Sequence, residues 1–290
     1  MTQTPAAHAG TITLGGELTV NRFGFGAMRL TGDGIWGPPA DREECRRVLR
    51  RALELGIDFI DTADSYGPHV SEEIIAEALY PYPKGLVIAT KAGLERPGPH
   101  KWTTNGHPDY LRACCEGSLK RLRLDRIDLF QLHRIDPAVP EADQFGALER
   151  LREEGKIRLV GLSEASVEQT ERARRTLPIV SVQNKYNLTD REWEPVVDYC
   201  QREGLAFIPW YPLGAGALKD APAIEEVARA RGLSPLQVAL AWLLARSPMM
   251  LPIPGTSKVR HLEENVAAAA VDLGTDVDRL DGLAIASPSA

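Results

Sequence analysis

Residues 127–163 read IDLFQLHRIDPAVPEADQFGALERLREEGKIRLVGLS. Two short runs, IDLFQLH and RLVGLS, are rich in strand-forming residues and close to continuously apolar. Between them lies a longer charged stretch with helical periodicity. Strands of that texture are expected where a parallel sheet is covered on both faces. A strand, a helix and a second parallel strand are the unit from which such sheets are built. Working outward, the same texture recurs in FGFGAM (23–28), DFID (58–61), LVIATK (86–91), IVSVQN (179–184), AFIPWY (206–211) and MLPIPG (250–255).

With the two runs above, that makes eight strands separated by helical stretches and short loops. The pattern fits an α/β fold of the closed (β/α)8 TIM-barrel type better than an open sheet. Ahead of the first unit, TITLGGELTV reads as a β-hairpin turning at Gly15-Gly16, placed to close the bottom of the barrel. Helix signals support the frame. Asp41 caps a helix with Glu44 three residues on, and Gly56 ends it. Ser166 with Gln169 and Ser234 with Gln237 form capping-box pairs, and the stretch Leu236–Leu244 is apolar enough to be deeply buried. A last short helix near 275–285 packs outside.

The 290 residues carry 34 Lys+Arg against 40 Asp+Glu, a formal net charge of −6 that argues against a nucleic-acid partner. A chain this long buries roughly three-quarters of its unfolded surface and needs no staple. No Gly/Ser linker or charge block divides it, so residues 1–290 are expected to form one domain, with 1–10 a flexible tail. No apolar run reaches the ~18 residues of a membrane span, and the first ten residues lack a signal-peptide pattern. Cys45, Cys114, Cys115 and Cys200 show no CxxC spacing, in keeping with reduced thiols and a cytoplasmic location. The six histidines form no HxH or HExxH pair, so no metal is expected.

In a barrel, working residues lie at the C-terminal ends of strands. Those positions hold Asp61, Tyr66, Lys91, His133, Ser163, Gln183 and Trp210. Each alone has a structural explanation: a turn cap, a surface tyrosine, a loop lysine, a strand-end histidine. The fold brings them to one rim. There Asp61, Tyr66, Lys91 and His133 make a proton-donating site. A phenol has a pKa near 10, and moving it about three units costs roughly 4 kcal/mol. A neighbouring ammonium favours the phenolate, a carboxylate keeps that ammonium charged, and an imidazole orients a carbonyl whose oxygen gains charge on reduction.

The spacing DTADSYG (61–67), followed by IATKAG and LFQLHRID, resembles the catalytic tetrad of the aldo-keto reductase superfamily, and the resemblance runs from Phe23 to Asn265. It implies a barrel that binds NADP(H), or secondarily NAD(H), without a Rossmann domain. Gly24-Phe-Gly26-Ala-Met-Arg29 lacks the third glycine of that fingerprint. By position, Gly26, Ala27 and Met28 become cofactor contacts, as does Asp61. Ser163 and Gln183 match the residues that hold the nicotinamide amide, and Trp210 the ring that stacks on it. Leu213, Gly214 and Gly216 match the pyrophosphate stretch, and Gly255, Ser257, His261, Glu264 and Asn265 the adenosine end.

Some positions depart from the family. Glu164 stands where many relatives have Asn or Arg, and Gly255 and His261 stand where some place Lys and Arg near the 2′-phosphate. Lys219, Lys258 and Arg260 are the cations nearby in sequence. Trp36 and Trp102 are candidate walls of the substrate pocket, and Arg134 either meets an anionic substrate or balances Asp136. The short C-terminus suggests an open pocket. The resemblance implies reduction of small aldehydes or ketones with Tyr66 as general acid. The alternatives are a redox-sensing regulatory subunit similar to potassium-channel β subunits and, more remotely, a metal-dependent barrel hydrolase.

Overall fold

The computed structural model describes residues 3–214 and 222–282. Its main sheet is parallel and seven-stranded. In order around the barrel come β3 (Phe25–Gly26), β4 (Phe59–Asp61), β5 (Val87–Ala92), β8 (Ile127–Leu132), β9 (Ile157–Ser163), β10 (Ile179–Gln183) and β11 (Ala206–Phe207). The eighth stave is MLPIPG. Phe207 bridges Met250 in parallel, Leu251 N donates to Phe207 O at 2.9 Å, and Gly24 N donates to Pro252 O at 2.9 Å, which closes the ring onto β3. Pro252 and Pro254 have no N–H to give, so toward β3 this stave offers carbonyls and it never forms a full ladder. Pro209 shortens β11 in the same way.

Helices α1 (Arg42–Glu54), α2 (Val70–Leu79), α3 (Pro108–Leu122), α4 (Glu141–Glu153), α5 (Val167–Arg174), α6 (Glu194–Glu203), α7 (Pro222–Arg231), α8 (Pro235–Arg246) and α9 (Val259–Ala267) follow the strands, and α10 (Asp276–Asp281) closes the described chain. Their capping matches the sequence signals. Asp41 accepts from Glu44 N at 2.8 Å, and complete capping boxes start α5 and α8. Val238–Leu243 of α8 are all buried.

Alternate residues of each strand face the two sides of the sheet, and the two sides belong to two apolar clusters. Outward residues such as Ile88, Phe130 and Val160 pack under the helices. Inward residues such as Phe59, Val87, Ala89, Leu129 and Leu159 fill the barrel. The hairpin β1 (Thr11–Leu14) and β2 (Leu18–Asn21) turns through Gly15 and Gly16, both at positive φ. It adds Ile12, Leu14 and Val20 to the inner cluster, so one mouth is plugged with side chains.

Two features differ from the sequence reading. Residues 1–10 were expected to be loose, but Pro5–Ala9 form a 3₁₀ turn whose Ala6 is buried and donates its N–H to Leu55 O at 2.9 Å. The turn is held because it covers the end of α1. In addition, the segment after β5 is not a simple loop but an antiparallel hairpin, β6 (Leu94–Gly98) and β7 (Lys101–Thr104). Pro97 and Pro99 mask its strand pattern.

Leu14 is 1% exposed inside the plug. Leu14→Ala is therefore expected to lower stability by about 2–5 kcal/mol in urea unfolding, against less than about 0.5 kcal/mol for exposed Thr11→Ala on the same strand.

Candidate active site

The inward face of the strands turns from apolar to polar at the open end. Phe59 is followed two residues on by Asp61, Ala89 by Lys91, and Leu129 by Gln131 and then His133. Parallel register pairs Lys91 with Gln131 and Ser163 with Gln183, while Asp61, opposite Ala89, sits one inward step below Lys91. Tyr66 arrives differently. After β4 the chain extends the ladder through Thr62 N to Ala89 O and Asp64 N to Lys91 O, then turns back on a Tyr66 N to Ala63 O bond. That turn carries the phenol over Lys91.

Lys91 is fully buried, and its ammonium has one acceptor for each proton: Asp61 Oδ2 at 2.7 Å, Thr62 O at 2.8 Å and Tyr66 Oη at 3.3 Å. The other oxygen of Asp61 accepts from Gln131 Nε2 at 3.0 Å and Gln183 Nε2 at 2.8 Å. The ring of His133 is edge-on to Tyr66, with centroids 5.9 Å apart, and its Nδ1 lies 3.4 Å from Ser65 Oγ. Trp102 stands edge-on to both rings at 6.4 Å. The four sequence-predicted tetrad residues therefore converge.

Their protonation states follow from burial and neighbours. Desolvation lowers the His133 pKa well below the ordinary histidine value, helped by the positive charges of Lys91, Arg134 and Arg96, so the imidazole is neutral at neutral pH. Burial opposes the charge on Lys91, yet Asp61 and Tyr66 together hold its pKa above the ordinary lysine value. The sequence reading expected Lys91 to bring the phenol down. In the structure desolvation outweighs that pull, and Tyr66 stays above its ordinary pKa, a fully protonated donor.

A cavity of about 880 Å³ opens over these groups. Of the candidates for the cofactor, Gly26, Met28, Asp61, Ser163, Gln183, Trp210, Leu213, Gly214 and Gly255 line it. Ala27 does not; it is buried beneath, in the turn after β3. Ser257, His261, Glu264 and Asn265 lie outside this cavity, in the loop before α9 and on α9 itself, with His261 exposed and Asn265 buried. Gly216 and Lys219 fall outside the described residues. Glu164, at a left-handed φ of 53°, is not part of the lining; its Oε1 accepts from Trp210 Nε1 at 2.6 Å and Lys185 N at 2.7 Å.

Of the two candidate substrate walls, Trp102 lines the cavity and Trp36 does not. Ile35 takes the wall position. Trp36 lies behind it, its backbone bridging Gly67 and its ring 5.6 Å from the Arg96 guanidinium. Arg96 itself lies 3.6 Å from the Trp102 ring centroid and donates to the carbonyls of Gly34, Ile35, Ser65 and Lys101. It thereby ties the hairpin roof to the Tyr66 turn. Sequence reasoning missed Gln131, Leu94 and Thr104. The signal for Gln131 was present: an uncharged polar residue in a buried strand, two places before His133 and so on the same face.

The family model described as "Aldo/keto reductase family" matches residues 22–284. An uncharacterized oxidoreductase of Schizosaccharomyces pombe is 55% identical over 273 residues, covering 94% of this chain and 89% of the relative. The pyridoxine 4-dehydrogenase of Escherichia coli is 42% identical over 280 residues, covering 94% and 98%. Among solved structures, an aldo-keto reductase from Klebsiella pneumoniae in complex with NADPH superposes with a TM-score of 0.79 at 28% identity, covering 94% of each chain.

A histidine neutral in the folded state and titrating near 6.5 when unfolded makes stability fall as pH drops. At about pH 5.5 the unfolded chain gains roughly 1.4 kcal/mol from protonating His133, a gain almost absent at about pH 7.5. Comparing urea unfolding of the wild type and His133→Asn at both pH values should show this increment vanish in the variant.

Proposed function

Because the chain belongs to the aldo/keto reductase family, we propose that it is an NADP(H)-dependent oxidoreductase that reduces an aldehyde or ketone carbonyl to the alcohol, with Tyr66 as the general acid. The observation that carries this reading is the triply bonded Lys91 ammonium, which joins the Asp61 carboxylate to the Tyr66 phenol inside a cavity. NADPH is the cofactor held by the Klebsiella pneumoniae relative.

The residues present fit a nicotinamide. Ser163 offers a hydroxyl and Gln183 a carboxamide, both suited to an amide, beside the indole of Trp210. Leu213, Gly214 and Gly255 extend the lining for the rest of the molecule. When bound, NADPH supplies the hydride that reaches the carbonyl carbon.

The chain's own residues do the remainder. Tyr66 and His133 hold the carbonyl oxygen. With Nδ1 turned to Ser65, His133 uses its other ring nitrogen to donate a hydrogen bond that strengthens as charge builds on that oxygen. Tyr66 then gives up its proton. The phenolate left behind is stabilised by Lys91, whose charge Asp61 maintains. Gln131 and Gln183 hold Asp61 from its far oxygen, acting through that carboxylate. Trp102, Leu94 and Ile35 give the reacting end an apolar wall that keeps water away. In the reverse direction the same groups take the proton from an alcohol. The name of the Escherichia coli relative makes pyridoxine and its 4-aldehyde the first pair to try.

Tyr66→Phe removes the proton and keeps the ring. Its kcat for aldehyde reduction, followed by NADPH absorbance, is expected to drop by about 100-fold or more while NADPH still binds. Turnover equal to the wild type would remove Tyr66 from the proposed role.

A further inference from the structure

Arg134 follows His133 directly and lines the same cavity. The sequence left two uses for it, and the structure bears on one. Asp136, its supposed counter-charge, is already engaged, with Oδ2 accepting from Gly106 N and Oδ1 from Ala138 N, both at 2.9 Å. Among the described residues no carboxylate lies within 4.0 Å of the guanidinium. The acid whose field it feels, Glu164, spends its Oε1 on Trp210 and Lys185 N–H groups.

The guanidinium is also held in a particular orientation. Nη1 carries both of its protein contacts, to His133 O at 2.6 Å and Ser163 Oγ at 3.0 Å. Nε and Nη2 have no acceptor among the described residues, and neither is closed off from solvent. That edge presents two parallel N–H donors, the arrangement that takes both oxygens of a carboxylate. Arg134 lines the cavity together with Tyr66 and His133, and its guanidinium lies 6.0 Å from the centroid of the Trp210 ring, which lines the same space.

We propose that Arg134 is a specificity-determining residue whose free edge binds a carboxylate on the substrate, so that the enzyme prefers carbonyl compounds that also carry an acid group. The proposal rests on the carbonyl-reducing reading of this pocket. The apolar side of such a substrate meets Trp102 and Leu94 while its carbonyl meets Tyr66 and His133. A guanidinium already anchored through Nη1 loses little freedom on engaging the ligand, which favours binding.

The test is equilibrium binding to the full chain loaded with NADP. The quench of intrinsic tryptophan fluorescence is read for 2-, 3- and 4-formylbenzoate and for the methyl ester of each. The wild type is expected to bind at least one acid about tenfold or more tightly than its ester. In Arg134→Gln the acid-to-ester ratio should fall to near one, and in Arg134→Lys to an intermediate value, since the charge survives without the fork. Equal binding of acids and esters by the wild type overturns the proposal, as does a preference that persists in Arg134→Gln. A loss of NADPH affinity in that variant with the ratio intact also overturns it, giving the guanidinium to the cofactor. An intact acid preference with no reduction of any acid or ester by NADPH supports the subsite and instead defeats the carbonyl-reducing reading.

Discussion

The site depends on one buried ion pair. Lys91 and Asp61 are both essentially without solvent, and taking two charges out of water costs several kcal/mol per ion before any attraction is counted. Such a pair persists only where every remaining donor and acceptor is matched. Here it is: three acceptors around the ammonium, and two glutamine amides on the second carboxylate oxygen. Removing either charge would leave the other stranded. The pair therefore explains why glutamines occupy buried strand positions beside it, and why the Tyr66 turn folds back over Lys91 rather than into solvent.

That arrangement requires a barrel with unlike ends. The inward residues near the hairpin are apolar and packed, and the plug of Ile12, Leu14 and Val20 keeps water from reaching the ion pair from below. The opposite end is lined with polar groups and left open as a cavity. The Tyr66 turn is also braced from behind. Glu72, fully buried on α2, accepts from Thr90 Oγ1 and from Arg121 Nε, both at 2.6 Å, while Asp64 in the turn has its carboxyl pushed up to about 7 by burial and by Glu72. Lys91 faces the barrel interior beneath Tyr66 and Thr90 faces α2, so one strand serves both sides.

What was legible in the sequence was whatever obeys a short period. The eight strand runs, the capping boxes of α5 and α8, and the Asp61-to-Tyr66 spacing all depend on neighbours within a few residues. What was hidden depended on partners distant in the chain or on proline. The hairpin β6–β7 was obscured by Pro97 and Pro99, whereas the eighth run was legible and only its broken pairing, at Pro252 and Pro254, was not. Trp36 looked like a pocket wall because large rings in loops often are. Its ring instead stacks toward Arg96, a contact 60 residues away in sequence, and Ile35 takes its place. The N-terminal turn looked polar and loose because the carbonyl that anchors it, Leu55 O, lies beyond α1.

The charge of the cavity runs against the charge of the chain. The protein as a whole is at −6, so its distant field repels an anion. That field fades over about 8 Å at physiological salt, whereas charges inside a low-dielectric cleft are screened far less. Among the described residues, Asp61 is the only carboxylate in the lining and is neutralised by Lys91, while Arg29 and Arg134 line the cleft without an ion-pair partner. The local balance of the described lining is positive. A neutral His133 adds no cation of its own, so the excess resides on Arg29 and Arg134, whose guanidinium groups stay protonated. The positive excess of the pocket is thus set by arginines, with the phenol and the neutral imidazole lining the same cavity.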